Sequence, residues 1–207
     1  MKKILFLLLP ALLAAVTLSA QTPEEIIARV DQETARFDAE GCSMVMELKF
    51  PIIGAVATTI YTRGDKYKMI MSIKGDTSIS WSDGVTDWDY ESGKNTVTIK
   101  PHKADGNSEA DNAKMMEGIT EGYDVRLKKE TADTWQFRCT KSKTNTNKDD
   151  PKNMDLVVSK ATYLPVSLTA RAGGLTITMR DVSIGVSEQE VTFDASQYAT
   201  AKIIDER

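Results

Sequence analysis

Histidine is nearly absent: His102 is the only one in 207 residues. It follows Pro101 in a polar stretch with no cysteine or carboxylate at ligand spacing, so neither a metal site nor a Ser-His-Asp triad is expected. Cysteine is almost as scarce, and two thiols, Cys42 and Cys139, are too few for a disulfide-built scaffold. Both fall on the apolar side of strand-like segments, near Met44 and Phe137 respectively. Two readings stand for them: a disulfide closing roughly a hundred residues, stabilising by about 4 to 5 kcal/mol in the chain-entropy model, or two buried free thiols. Basic clusters with interleaved aromatics are missing, and 26 Lys and Arg against 30 Asp and Glu leave a net charge of −4. Nucleic acid is therefore not an expected partner. After the first twenty residues no stretch approaches the roughly 18 to 20 apolar residues of a transmembrane helix. Carboxylates are plentiful but sit mostly at outward strand positions or turns, and no pair stands out for acid-base work. Gly173-Gly174 reads as a hairpin turn rather than a phosphate loop, and Arg63-Gly64-Asp65 as a tight turn. With no catalytic constellation and no cofactor motif, binding is favoured over catalysis.

What is present begins with an export signal. Lys2 and Lys3 precede an apolar run from Ile4 to Val16, and Leu18-Ser19-Ala20 supplies a small-residue cleavage site. Residues 1–20 are thus expected to be a secretory signal peptide that directs the chain to a bacterial periplasm. Residues 21–207 are expected to form one domain, and the absence of a cysteine after the cleavage site argues against acylation of the chain itself.

Thr22-Pro23-Glu24-Glu25 combines an N-cap, proline at the first helical position and a capping box, so a helix should start there. Ile26, Ile27, Val30 and Phe37 form its apolar stripe, and Gly41 marks the limit of its stop. Eleven strands are then predicted in an antiparallel meander: 42 to 50, 55 to 63, 66 to 74, 77 to 82, 86 to 91, 95 to 100, 123 to 129, 134 to 141, 153 to 159, 163 to 171 and 174 to 184. In the last, Leu175, Ile177 and Met179 are odd whereas Val182 and Ile184 are even, which predicts a β-bulge near Arg180 and Asp181. So many long antiparallel strands should curl into a barrel.

Methionine is concentrated on the apolar sides of these strands. Met44, Met46, Leu48 and Phe50 alternate with polar residues, as do Tyr67, Met69, Met71 and Ile73. Methionine is unbranched and polarisable, so such a wall can reshape around a flexible apolar guest; an ordinary core with methionine as gap-filler leaves the same pattern. By strand parity the expected lining is Met44, Met46, Leu48, Ile60, Met69, Met71, Ile79, Trp81, Trp88, Tyr90, Val97, Ile99, Phe137, Ile177 and Met179. Two segments break the strand rhythm. Residues 141–153 are almost wholly polar and read as an exposed, mobile hairpin loop. Within 101–122, Ser108 and Asp111 make a second capping signature before Ala113, Met115, Met116 and Ile119, which predicts a short helix with an apolar side. It fits a movable lid over a barrel mouth or a fixed plug.

Ser82-Asp83-Gly84-Val85-Thr86-Asp87-Trp88-Asp89-Tyr90 is a strand, a turn and a second strand. Here the chain resembles the LolA/LolB-like family of periplasmic lipoprotein carriers, which has a similar Ser-Asp-Gly-x-Thr-x-Trp-x-Tyr segment. Ile60-Tyr61-Thr62-Arg63 upstream, and Val191-Thr192-Phe193-Asp194 with Ala201-Lys202-Ile203-Ile204-Asp205 downstream, match in order. The resemblance implies a mainly β (α+β) fold: an unclosed antiparallel barrel of about eleven strands, with an N-terminal helix and a short helical lid. It implies a monomeric carrier whose cavity shields the acyl chains of lipoproteins, with an inner-membrane lipoprotein-releasing transporter as donor and an outer-membrane acceptor. It also implies a lid latch: an arginine matching Arg63 that hydrogen-bonds lid-side backbone, although Gly64-Asp65 replaces the usual Pro-Asn after it. A lipid sensor or interaction scaffold of the same fold is the alternative, and an exported lipid- or glycan-active enzyme the more distant one.

Overall fold

A computed structural model describes residues 21–52, 54–103 and 118–207. The expected lid residues Met115 and Met116, with Ser108, Asp111 and Ala113, lie outside these, as does the expected signal peptide. Helix α1 (Pro23–Thr34) starts as its sequence predicts: Thr22 Oγ1 accepts from the Glu25 amide at 3.2 Å, and the Glu25 carboxylate accepts from the Thr22 amide at 2.9 Å. Ile26, Val30 and Thr34 form its buried side. A second short helix, α2 (Phe37–Glu40), ends on Gly41 at φ +77°. A β-carbon there would lie 2.8 Å from the Thr62 carbonyl oxygen and 2.9 Å from Val186 Cβ, so a side chain is excluded on two counts.

Among the described residues twelve strands follow: β1 (Cys42–Phe50), β2 (Gly54–Arg63), β3 (Lys66–Ile73), β4 (Asp76–Ser82), β5 (Thr86–Glu91), β6 (Thr96–Pro101), β7 (Tyr123–Glu130), β8 (Thr134–Lys141), β9 (Asn153–Ser159), β10 (Pro165–Ala172), β11 (Leu175–Ile184) and β12 (Lys202–Asp205). They form one sheet in the order β12-β6-β5-β4-β3-β2-β1-β11-β10-β9-β8-β7. The barrel is unclosed, because β12 and β7 remain as edges. β1 to β6 and β7 to β11 are two antiparallel meanders, joined where β11 pairs with β1. β12, absent from the sequence-based set, is four residues long and pairs parallel with β6. The expected bulge is present: Ser43 opposes Ser183 and Val45 opposes Arg180, so Asp181 and Val182 together face Met44, with Asp181 at φ +56°. The 141–153 loop is largely exposed as predicted, yet it is laced internally. Asp150 accepts from the Asn145 and Asn147 side-chain amides at 2.7 and 2.8 Å, and Tyr123 Oη donates to the Pro151 carbonyl at 3.0 Å. No helix among the described residues is long and apolar enough to cross a membrane.

Two apolar clusters hold the fold, on opposite faces of the sheet. The larger packs Ile26, Val30 and Phe37 against Met44, Ile60, Phe137, Cys139, Met154, Leu156, Leu168 and Met179. The smaller lies over β4 to β6, under the chain between β11 and β12. Phe193 stacks on Trp88 at 5.4 Å and meets Trp81 edge-on at 5.3 Å; Tyr198 approaches Tyr90 at 4.6 Å and Trp81 at 5.5 Å. Such pairs add about 0.5 to 1.5 kcal/mol each beyond area burial, which is how a segment with little regular structure is held to the sheet.

Candidate functional site

Cross-strand register decides which of the expected lining residues share a surface, because directly opposed residues in a ladder point the same way. Met46 pairs with Met179, Leu48 with Ile177, Met44 with Ile60, and Ile60 with Met69; Met71 opposes Thr58. On the far side, Met179 opposes Leu168, which opposes Leu156, which opposes Phe137. Met44, Met46, Leu48, Ile60, Met69, Met71, Phe137, Ile177 and Met179 therefore share the face that α1 covers. Met154 on β9 joins them opposite Ala170, so all six methionines of the described strands lie on this face.

The other six expected residues do not join them. Met69 opposes Ser80 and Met71 opposes Ser78, while Ile79 opposes Ile70 and Trp81 opposes Lys68. Trp81 continues to Trp88 and Ile99, and Ile79 to Tyr90 and Val97. Ile79, Trp81, Trp88, Tyr90, Val97 and Ile99 thus occupy the opposite face, and the aromatics among them pack under Phe193 and Tyr198. A single common lining is corrected to two separate surfaces. The cause is the two-residue β3–β4 turn, Lys74-Gly75, both residues at positive φ, which fixes Ile73 against Asp76 and carries the apolar side of β4 through to the other face.

Burial along the methionine face is graded. Met44 and Ile60 are buried beneath α1, whereas Met46, Leu48, Met69, Met71 and Ile177 are half-buried and Ile73 is 44% exposed. The face is thus closed at the Cys42 end and open toward Phe50. Laterally it ends at β4, where Ser80 Oγ donates to Asp89 Oδ1 at 2.7 Å and Lys100 Nζ reaches Asp89 Oδ2 at 2.6 Å. An apolar strip bounded by satisfied polar groups can shelter an alkyl chain by burial alone. A cleft of about 520 Å³ on the other face is lined by Arg138, Asp155, Arg171 and Lys152 and offers such a chain nothing.

Arg63 closes the covered end. Its Nη1 donates to the Glu40 carbonyl at 2.9 Å and the Val186 carbonyl at 2.8 Å, tying α2 to the chain after β11. Glu188 lies 3.8 Å from Nε and also binds Lys66, an interaction that holds its carboxyl below the usual range. The expected partners of this latch on the lid lie outside the described residues. Ile119, the described part of that segment, is buried in the main core cluster.

Cys42 and Cys139 are free buried thiols, which corrects the disulfide reading. Strands β11, β10 and β9 separate β1 from β8, whereas a disulfide needs α-carbons within about 7 Å. Burial raises both thiols, Cys139 to about 11, so neither is a ready nucleophile. One cluster escaped sequence reasoning: His102 Nδ1 lies 2.8 Å from Asp87 Oδ1 and 3.2 Å from Ser82 Oγ. Both partners meet the same ring nitrogen, and Ser82 is buried, so the arrangement cannot pass a proton from serine through the ring to aspartate. It anchors the chain leaving β6. No group of three metal-ligating side chains occurs among the described residues.

No family model matches the chain, and no curated protein does. Several solved structures are similar to it at low identity. An uncharacterized conserved protein from Thermus thermophilus is 13% identical, with 90% of this chain and 100% of that one covered and a TM-score of 0.46. LprF from Mycobacterium bovis is 9% identical, with 80% and 95% covered and a TM-score of 0.49. A LolA superfamily protein from Nitrosomonas europaea is 10% identical, with 86% and 100% covered and a TM-score of 0.36.

Proposed function

We propose that this chain is a periplasmic carrier that binds the acyl chains of lipoproteins and moves them from the inner to the outer membrane. The observation that carries this reading is the graded methionine face, buried under α1 at one end and half-exposed from Met46 to Ile177 at the other. Its softness suits a guest without fixed shape. Burying about 15 methylenes at about 0.8 kcal/mol each gives on the order of 12 kcal/mol gross, and association costs roughly 4 to 15 kcal/mol. The balance allows both capture and release. The export signal expected in residues 1–20 and the carrier-like Ser82 to Tyr90 segment support the same reading.

Native mass spectrometry of the chain purified from a periplasm tests it. Co-purified acylated lipoprotein is the expected result. A chain that stays empty when offered lipoprotein, or that retains only a small lipid, contradicts lipoprotein transport.

A further inference from the structure

We propose that the rim of the open end is a docking edge for an anionic phospholipid bilayer; its purpose rests on the carrier reading, since cargo must pass between this mouth and a membrane. The observation is a juxtaposition across adjacent strands. Phe50 opposes Gly54, Lys49 opposes Thr176 and Ile73 closes against Asp76, so the β1–β2, β3–β4 and β10–β11 hairpins lie together at this end. Ile52, at the tip of the first, is 96% exposed, and Ile73 on the second is 44% exposed. Single exposed apolar residues need no explanation, but these border the half-exposed methionine face and extend it outward.

Charge at the same edge runs against that of the whole chain. Lys49, Lys74 and Arg171 are exposed, one beside each tip, and none is in an ion pair among the described residues. Asp76 is the carboxylate within these three turns, and beside the third the 141–153 loop brings Asp149 and Asp150, together with Lys148 and Lys152, to the cleft that Arg171 lines. An isoleucine projecting from a turn between basic side chains suits the boundary between headgroups and acyl chains, where apolar burial and attraction to anionic lipid add. At the opposite end Val85 is 75% exposed beside Asp83, on the β4–β5 turn and away from the open rim, which makes it the control.

Flotation with phosphatidylcholine vesicles, with and without phosphatidylglycerol, reads the docking. The exported chain should float with phosphatidylglycerol vesicles and much less with phosphatidylcholine alone. Ile52→Asp should weaken this by about thirtyfold, given what one buried isoleucine contributes. Lys49→Gln, Lys74→Asn and Arg171→Gln together should weaken it by about a hundredfold; asparagine at position 74 suits the left-handed backbone there. Val85→Asp should change nothing. Flotation indifferent to Ile52 and to the three cations, or lost equally with Val85→Asp, overturns the proposal, and so does binding confined to another protein. Uptake of a fluorescent fatty acid by the same proteins separates the two readings: intact uptake without Ile52-dependent flotation refutes docking alone, whereas no uptake by the parent chain refutes the carrier.

Discussion

Replacing Phe193 by alanine separates the two faces of the sheet. Its ring stacks on Trp88 at 5.4 Å and on Tyr198 at 5.6 Å, and meets Trp81 edge-on at 5.3 Å. Transfer of a half-buried aromatic ring contributes about 1.5 kcal/mol, and the lost ring pairs bring the total to about 3 kcal/mol. For a domain of this size that lowers Tm by about 6 to 12 °C. Differential scanning calorimetry reads the shift, and the near-ultraviolet circular dichroism of Trp81 and Trp88 should weaken with it. Affinity for an acyl probe should stay at the parent value below the transition, because the methionine face lies on the other side of the same strands. A large loss of probe affinity in the folded variant, with little change in Tm, would refute the division into two surfaces.

Three further outcomes follow from local geometry. Gly41→Ala should cost about 2 to 4 kcal/mol in urea denaturation, because it combines positive φ with contacts at 2.8 and 2.9 Å. Asp31 lies on the last turn of α1 with its carboxyl raised, first by burial and then by Glu121. A carboxyl raised in the fold favours folding while protonated and costs stability above its folded pKa. Asp31→Asn should therefore raise Tm near about pH 7, and the gain should vanish near about pH 3, below the ordinary carboxylate range; an equal gain at both would contradict the assignment. Cys42 and Cys139, both buried and raised, should resist a disulfide-exchange reagent in the native protein and react once denaturant is added, without prior reductant.

Much of the fold was legible because its signals are local. The Thr22 to Glu25 cap is a four-residue pattern, the strands alternate, and the parity slip between Met179 and Val182 announces a bulge without reference to a partner strand. What escaped depends on pairing. Alternation in β4 to β6 separates Trp81, Trp88 and Tyr90 from their polar neighbours, but only the register through Lys74-Gly75 says which surface they join. A lysine in place of the usual asparagine muted that turn's signal. β12 was missed because four residues carry too short a pattern, and its partner β6 lies about a hundred residues away in sequence. The His102, Asp87 and Ser82 cluster likewise exists only once β4, β5 and the end of β6 are side by side. Among the described residues the methionine half of the expected lining shares one face, and the aromatic half belongs to a core that holds the C-terminal segment.

Photocrosslinking with a diazirine-bearing fatty acid, followed by peptide mass spectrometry, tests the binding face most directly. Label should concentrate on β1, β3 and β11 at Met46, Leu48, Met69, Met71 and Ile177. Label on Trp88, Tyr90 or Val97, or none above a detergent-blocked control, would contradict an acyl-binding methionine face.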